Sequence, residues 1–324
     1  MTNRIMWTDC DHKNVNEEEA VFKQAGIKDY AIAQCKTGDE VIEKCKGAVV
    51  LLNQYTKLDK HVFEALPTVK CVVRYGVGVD NVNLKDADEC GVAICNVPDY
   101  GTNEVADQAF ALMMACVRKT VAANTQVHNG GWDFNLLAPI HRLSTVTVGV
   151  YGLGRIGRAF AKRVHAFGCN VLGYDVINNP LANDPEAASF IKIVSEDELL
   201  KNSDVVSLHC GLNPDNAKFM NSTKFNEMKN EAFFINVSRG GLVNEDDLAA
   251  ALKDGHLAGA GIDVTIKEPL PQDSVLRQAP NLIITPHIAW YSLESASELK
   301  TKVAEEAVRA VNGQKLRCPV NNVR

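Results

Sequence analysis

The residues that most clearly carry chemistry form a glycine-rich segment near the middle of the chain, Gly152-Leu-Gly-Arg-Ile-Gly157. It follows an apolar run at 147–151 and opens a stretch of helical periodicity at 158–167. In such a turn, the first glycine allows a tight bend, the second lets the backbone approach a pyrophosphate, and the third lets helix and strand pack closely. The unpaired N–H groups and the positive dipole at the start of the helix favour phosphate charge. The motif predicts a dinucleotide site at these residues: Gly152, Gly154, Arg155, Ile156 and Gly157.

An acidic residue after the next apolar run indicates which dinucleotide is bound. Asp175 follows the run at 170–174 and lies 18 residues beyond Gly157, where an acid accepts hydrogen bonds from the adenosine ribose hydroxyls. Its carboxylate would repel a 2′-phosphate, and the following residues, 176–177, include no arginine to bind one. The sequence therefore predicts NAD rather than NADP as the cofactor.

Two other pairs of glycines do not fit a pyrophosphate turn. Gly76-Val-Gly78 lacks the third glycine, because position 81 is asparagine. Gly259-Ala-Gly261 lies within an apolar run rather than before a helix. Neither pair is predicted to bind the phosphates.

Three side chains in the second half are of the types needed to reduce a carbonyl group. Arg239, Glu268 and His287 each lie beyond a predicted strand. In an open parallel sheet, ligands collect at the carboxyl ends of the strands, so the three side chains could converge in one crevice. Spacing alone leaves simpler interpretations open, since Arg239 could be a surface ion-pair partner and His287 a loop histidine.

The elements that must position these residues are short apolar runs separated by stretches of helical periodicity. Runs of this length are typical of buried parallel strands. The first series lies at 4–7, 48–52, 69–74 and 92–97. The second series lies at 147–151, 170–174, 204–209, 232–237, 259–264 and 282–285. The alternation predicts an α/β protein with parallel sheets.

The segments around the second series predict how the chain is divided. A long apolar segment at 103–118 is predicted to be a connecting helix, and another helix at 292–312 stops at Gly313, too near the end for a further domain. We therefore predict one small domain from residues 1–98 and 290–324. A dinucleotide domain at 99–289 is inserted into it.

The composition is that of a globular protein that can bury a full core. Of its 324 residues, 46% are apolar and 23% are charged, and the formal net charge of −6 does not favour a nucleic-acid partner. The ten cysteines include no C-x-x-C pair, so no metal site is predicted and thiols in a reducing compartment are favoured. There is no signal-peptide pattern and no membrane-spanning run, so we expect a cytoplasmic protein without a membrane partner.

Several segments together resemble the D-isomer-specific 2-hydroxyacid dehydrogenase family. They are Asn236-Val-Ser-Arg-Gly-Gly, Gly261-Ile-Asp-Val with Glu268-Pro, and Thr285-Pro-His287, and the similarity runs from about Val69 to the end of the chain. Within the family, the chain most resembles the C-terminal-binding protein branch. The segments that carry this closer similarity are Val73-Arg74 before Gly76, Cys95-Asn-Val-Pro98, His209-Cys-Gly-Leu-Asn213 and His287-Ile-Ala-Trp-Tyr-Ser292.

The resemblance implies a Rossmann-type doubly wound parallel sheet inserted into a smaller, flavodoxin-like α/β substrate domain. It implies an enzyme that interconverts a small 2-oxo acid and its D-2-hydroxy acid with NAD. His287 would be the acid and base, and Glu268 would orient it and favour the imidazolium. Arg239 would hold the substrate carboxylate and polarise the carbonyl group. Because this chain has Glu268 where formate dehydrogenases have glutamine, formate is disfavoured.

The same resemblance assigns further residues to the site. The N–H groups of Val77 and Gly78 would share the substrate carboxylate. Arg74 either reaches that carboxylate or is a surface or domain-interface charge, and Trp290 either lines the substrate pocket or packs in the core. Further cofactor contacts are implied at Cys210, Asn213, Val237, Asp263 and His287. Four aromatic residues hint at an aromatic pocket without defining the substrate: Tyr75, Tyr100, Trp290 and Tyr291.

Two alternative functions stay open. A corepressor-like protein that senses NAD(H), with weak or no dehydrogenase activity, would keep the same core. It is disfavoured because no long basic or disordered tail is present and every catalytic position is filled. A phosphoglycerate-type enzyme with a regulatory module is disfavoured because the chain ends at Arg324. The family also implies a homodimer, through the helix at 103–118 and the segment around Trp132.

Overall fold

A computed structural model describes residues 4–323. The chain divides into two compact units. The first comprises the residues up to Gly101 and those from Ser292 onward, and the second runs from Thr102 to Tyr291. No helix within residues 4–323 has the length and apolar character needed to cross a membrane.

The first unit is built on a five-stranded parallel sheet. Its strands are β1 (Ile5–Trp7), β2 (Tyr30–Ile32), β3 (Val50–Asn53), β4 (Cys71–Arg74) and β5 (Ala93–Cys95). Its helices are α1 (Asn16–Gln24), α2 (Gly38–Lys44), α3 (Lys60–Ala65), α4 (Leu84–Glu89) and, after the second unit, α12 (Leu293–Val311). The strand order β2-β1-β3-β4-β5 is that of flavodoxin, so the predicted fold of this unit is confirmed.

The returning helix α12 completes the core of the first unit. It begins after Ser292, whose side chain accepts a hydrogen bond from the N–H of Ser295, and it packs against α1, β3 and β4. Beneath it, the hydroxyl of the buried Tyr75 donates to the fully buried Glu18 at 2.8 Å. Lys300 of α12 lies 3.8 Å from the same carboxylate. The hydroxyl of Tyr75 is therefore used inside the core.

The segment after α12 covers the edge strand β5. Cys95 pairs with Pro319 in an antiparallel bridge, and the N–H of Val320 donates to the carbonyl of Ile94 at 2.8 Å. The amide of Asn321 accepts from the N–H of Ile94 at 2.8 Å. Since an open edge strand leaves main-chain groups unpaired, this segment completes the sheet.

The second unit is built on a seven-stranded parallel sheet. Its strands are β6 (Thr147–Tyr151), β7 (Asn170–Tyr174), β8 (Ile191–Ile193), β9 (Val205–Leu208), β10 (Ala232–Asn236), β11 (Leu257–Ile262) and β12 (Leu282–Ile284). Its helices are α5 (Thr102–Val117), α6 (Thr120–His128), α7 (Arg155–Ala166), α8 (Pro185–Ala188), α9 (Glu196–Asn202), α10 (Ser222–Glu227) and α11 (Glu245–Lys253). The order β12-β11-β10-β9-β6-β7-β8 is the doubly wound Rossmann order with one added strand, which confirms the predicted fold.

Two strands were missed by the sequence analysis. Both β2 and β8 are three-residue edge strands, and most of their residues are incompletely buried. Lys192 interrupts the apolar pattern of β8, and the short apolar run at 30–33 was not recognised as a strand.

Candidate active site

The glycine-rich turn has the geometry that a pyrophosphate requires. Gly152 has a φ of +98°, and a Cβ there would lie 2.8 Å from the carbonyl carbon of His209. A Cβ on Gly157 would clash with the carbonyl oxygen of Gly152, so helix α7 packs directly on the turn. Gly154, the N-cap of α7, has no atom within 4 Å of its Cβ position. Protein atoms therefore pack against the turn at Gly152 and Gly157, whereas the space beside Gly154 is open.

The start of α7 provides the electrostatic part of this cradle. The helix has 12 residues, and Arg155 and Ile156 form its first turn. Its unpaired N–H groups and dipole favour an anion beside Gly154. The residues that are present therefore fit a dinucleotide pyrophosphate.

Asp175 is fixed to the same turn. Its carboxylate accepts a hydrogen bond from the N–H of Leu153 at 2.7 Å and another from the N–H of Ile177 at 3.0 Å. An ionised carboxylate has about four acceptor positions, so both oxygens can still receive ribose hydroxyls. The hydrogen bond to Leu153 was not foreseen from the sequence.

His287 and Glu268 form a hydrogen-bonded pair. Nδ1 of His287 lies 2.7 Å from Oε2 of Glu268, and the side chains are 36% and 38% exposed, so a ligand can reach them. The other carboxylate oxygen of Glu268 accepts from the N–H of Thr265 at 3.0 Å. Partial burial raises the pKa of Glu268, but the hydrogen bond and charge of His287, the N–H of Thr265 and the charge of Arg239 outweigh it, leaving the pKa below its ordinary value.

Asp263 holds the turn that carries His287. It is only 1% exposed, and its carboxylate accepts hydrogen bonds from the hydroxyl of Thr285 and from the N–H groups of Ile288 (3.1 Å) and Ala289 (2.8 Å). The N–H of His287 donates to the main-chain carbonyl of Asp263 at 2.8 Å. Burial raises the pKa of Asp263 despite these hydrogen bonds. The sequence analysis assigned Asp263 only a cofactor contact and missed this role.

Arg239 lies on the turn after β10, next to the turn that holds Glu268. The side chain of Asn236 shapes this turn, because it accepts from the N–H of Ser238 at 3.0 Å and donates to the carbonyl of Arg239 at 2.9 Å. A Cβ on Gly240 would clash with the main chain of Thr265, so the two turns pack backbone to backbone. Since β10, β11 and β12 are adjacent parallel strands, Arg239, Glu268 and His287 all lie at the carboxyl ends of these strands.

Three of the other predicted substrate contacts, Arg74, Val77 and Gly78, lie together in the first unit. Gly76 has a φ of +124°, and a Cβ there would clash with Nη1 of Arg74. The guanidinium of Arg74 therefore lies against the turn that contains Val77 and Gly78. Val77 is 41% exposed and Gly78 is partly exposed, so a ligand can reach this turn.

The remaining predicted contacts follow β9, β10 and β12. Cys210 is half-buried, and burial raises its pKa to about 11, so its thiol is neutral. The side chain of Asn213 caps a short 3₁₀ turn by accepting from the N–H of Asp215 at 2.9 Å. Val237 is buried, and Trp290 is half-buried with its ring edge to face with Tyr291. Within residues 4–323, no group of three histidine, cysteine or acidic side chains could hold a metal ion.

A histidine that the sequence analysis did not place in the site lies below the glycine-rich turn. Nε2 of His209 is 2.9 Å from the hydroxyl of Ser207, and its ring packs against Phe160. Burial lowers the pKa of His209 to about 3, so the imidazole is neutral. His209 therefore adds no positive charge next to the glycine-rich turn.

Comparison with known proteins agrees with this arrangement. The family model described as D-isomer specific 2-hydroxyacid dehydrogenase, NAD binding domain, matches residues 110–289. The chain belongs to this family. A glyoxylate reductase of Korarchaeum cryptofilum is 36% identical over 318 residues, which cover 97% of this chain and 94% of the relative. A hydroxypyruvate reductase of Blautia hydrogenotrophica is 36% identical over 266 residues, 81% of each chain.

A solved relative supports the same conclusion for the whole chain. The D-lactate dehydrogenase of Aquifex aeolicus, solved with NAD and lactic acid, superposes with a TM-score of 0.85 at 27% identity and covers 96% of each chain. The predictions of an enzyme, of NAD as cofactor and of 2-hydroxyacid dehydrogenase activity are confirmed. The closer similarity to the C-terminal-binding protein branch stays a prediction.

In this dehydrogenase, we expect Asp263→Asn to loosen the His287 turn, because an amide has only one acceptor oxygen for three donors. The free energy of unfolding should fall by about 1–3 kcal/mol, the cost of leaving a buried donor unpaired. Amide hydrogen exchange in residues 285–291, measured by mass spectrometry, should accelerate. The control, Asp254→Asn at the exposed end of α11, should change stability by less than about 0.5 kcal/mol. Unchanged exchange in Asp263→Asn would show that the carboxylate does not hold the turn.

Proposed function

We propose that this dehydrogenase interconverts a small 2-oxo acid and its D-2-hydroxy acid, with His287 as the acid and base. The observation that carries the proposal is the 2.7 Å hydrogen bond between His287 and Glu268, at the carboxyl ends of the strands of the second unit. Because Glu268 holds Nδ1, Nε2 is the nitrogen that can exchange a proton with the substrate oxygen.

The side chains supply the proton and the charge compensation that the reaction needs. When bound, NADH supplies the hydride that reaches the carbonyl carbon. The imidazolium of His287 donates a proton to the carbonyl oxygen, and in the oxidative direction the neutral ring removes it. The low pKa of Glu268 keeps its carboxylate ionised beside the imidazolium. Arg239 binds the substrate carboxylate with its forked guanidinium and polarises the carbonyl.

Other residues would bind the carboxylate and the cofactor. In the first unit, we assign carboxylate binding to the N–H groups of Val77 and Gly78 and to Arg74. In the second unit, Trp290 would contact the substrate. The cofactor would be held by Gly152, Gly154, Arg155, Ile156, Gly157, Asp175, Cys210, Asn213, Val237, Asp263 and His287. The open face at Gly154 and the position of Asp175 beside the turn support this assignment.

A reducing compartment such as the cytoplasm is consistent with the cysteines. All ten are thiols, and most of them are buried. Buried thiols are typical of proteins that are not exposed to oxidising conditions.

Replacing the proposed acid and base should lower turnover far more than it weakens cofactor binding. We expect His287→Ala to lower kcat about 10²- to 10⁴-fold with glyoxylate, hydroxypyruvate and pyruvate, the range of general acid–base catalysis. The dissociation constant of NADH, measured by fluorescence, should change by less than about threefold, since the phosphates and ribose carry most of the binding.

A second histidine–carboxylate pair provides the matched control. Nε2 of His61 lies 3.0 Å from Asp39 in the first unit, and both side chains are exposed. His61→Ala should therefore keep full activity. If His287→Ala retained wild-type turnover, the acid–base assignment would be wrong. If the wild-type enzyme reduced no 2-oxo acid, the corepressor-like alternative would be favoured.

The charge of Asp175 should set the choice of cofactor. We expect the wild-type enzyme to be much more efficient with NADH than with NADPH, because the carboxylate repels a 2′-phosphate. Asp175→Asn keeps the shape and one acceptor but removes the charge, so the ratio of kcat/KM for the two cofactors should fall at least about tenfold, or about 1.4 kcal/mol. Equal wild-type efficiency with both cofactors would contradict this assignment.

We also propose a homodimer formed through the segment around Trp132. The side chains of Trp132, Phe134 and Leu136 are 88%, 81% and 74% exposed. An apolar cluster of this exposure is typical of a protein interface. The preceding helix α6 also has no buried residue, which supports a partner surface over this region.

Polar substitutions in that segment should separate the subunits. We expect the double variant Trp132→Ser/Phe134→Ser to sediment as a monomer at micromolar concentration, where the wild-type protein sediments as a dimer. Leu293→Ser, which alters an equally exposed leucine on α12 (76%), should leave the sedimentation coefficient unchanged. A wild-type monomer, or a double variant that remains dimeric, would refute this interface.

A further inference from the structure

The turn after β4 is held by hydrogen bonds to two successive carbonyl groups. The carbonyl of Gly76 accepts from the N–H of Val97 at 3.0 Å. The carbonyl of Val77 accepts from the side-chain amide of Asn96, whose Nδ2 lies 2.6 Å away. Both carbonyls therefore point toward the segment that follows β5.

The direction of these carbonyls fixes the direction of two N–H groups. A peptide unit is planar and trans, so its N–H points opposite to its C=O. The N–H of Val77 belongs to the Gly76 peptide, and the N–H of Gly78 belongs to the Val77 peptide. Both are directed away from Asn96 and Val97. Within residues 4–323, neither N–H group donates a hydrogen bond to a protein acceptor.

From this geometry we propose that Asn96 is a positioning residue, which orients the Val77–Gly78 peptide so that its N–H binds the substrate carboxylate. The inference rests on the proposed function, in which this turn is the carboxylate site. Adjacent N–H groups that point the same way form a small anion-binding concavity. The guanidinium of Arg74, packed against Gly76, adds positive charge beside it.

The two hydrogen bonds differ in what they require of the sequence. The N–H of Val97 belongs to the main chain, so most residue types could supply it. The bond to Val77 needs a side-chain donor of the length of asparagine. The position of Asn96 is itself fixed by β5 and by a hydrogen bond from its N–H to the carbonyl of Cys318 at 3.3 Å. The donor that bonds the Val77–Gly78 peptide is therefore itself held in place by the main chain around β5.

The test is steady-state kinetics of Asn96→Ala with NADH and whichever of glyoxylate, hydroxypyruvate and pyruvate the wild-type enzyme reduces best. We expect KM for the 2-oxo acid to rise about tenfold, the effect of losing one well-placed hydrogen bond. The value of kcat should stay within about threefold, and the dissociation constant of NADH should not change.

Asn96→Asp separates a positioning role from a structural one, because a positioning role predicts that its effect on KM depends on pH. An ionised carboxylate cannot donate to Val77 and would repel the substrate, whereas a protonated carboxyl can donate. The ratio of its KM to the wild-type KM at the same pH should therefore be large at pH 7. It should fall as the pH approaches about 4, where an aspartate takes up its proton.

The control variant is Asn321→Ala, at the other end of β5. Its amide accepts from Ile94 and donates to Val92, so it also bonds the main chain of this strand but does not touch the turn. Its KM should equal that of the wild type.

Three results would overturn the inference while the proposed function survives. They are an Asn96→Ala enzyme with a wild-type KM, an Asn321→Ala enzyme with an equal rise in KM, and an Asn96→Asp effect that does not depend on pH. If Asn96→Ala fails to fold, the pH series of Asn96→Asp decides alone. A wild-type protein that reduces no 2-oxo acid would refute both the proposed function and this inference.

Discussion

The buried carboxylate of Asp263 is the constraint on which the turn that carries His287 depends. Removing a carboxylate from water is costly unless hydrogen bonds replace its hydration, and here three donors from residues 285–289 do so. His287 has a φ of +54°, which non-glycine residues rarely adopt. The hydrogen bonds to Asp263 on both sides of His287 hold it in that conformation, and this directs its ring to Glu268.

The central part of the fold could be predicted because each strand is covered on both faces. The runs at 147–151 and 170–174 coincide with β6 and β7, and the helix predicted at 292–312 is α12 (Leu293–Val311). The edge strands β2 and β8 were missed, because Lys192 interrupts the apolar pattern of β8 and β2 contributes only a short apolar run at 30–33. The edge strand β12 was found from its apolar run at 282–285 although none of its residues is fully buried, so the apolar pattern rather than the position in the sheet decides which strands are recognised.

The site could be predicted as a set of residue types but not as a set of contacts. Residues that follow parallel strands lie at the same end of the sheet, so Arg239, Glu268 and His287 could be named as candidates from the strand ends, and the family resemblance then assigned their roles. What the side chains bond to depends on the backbone of each turn. The hydrogen bonds from Leu153 to Asp175 and from Asn96 to Val77 run between turns that lie far apart in sequence. No pattern of residue types contains that information.

The glycines illustrate the same limit. Gly152 and Gly76 both have a positive φ and both follow a parallel strand, yet their turns suit different anions. After Gly152, the unpaired N–H groups and dipole at the start of the 12-residue helix α7 suit an extended, doubly charged group such as a pyrophosphate. After Gly76 no long helix begins, and two N–H groups with the guanidinium of Arg74 suit a single carboxylate. The two turns therefore differ in the element that follows the glycine rather than in the glycine itself.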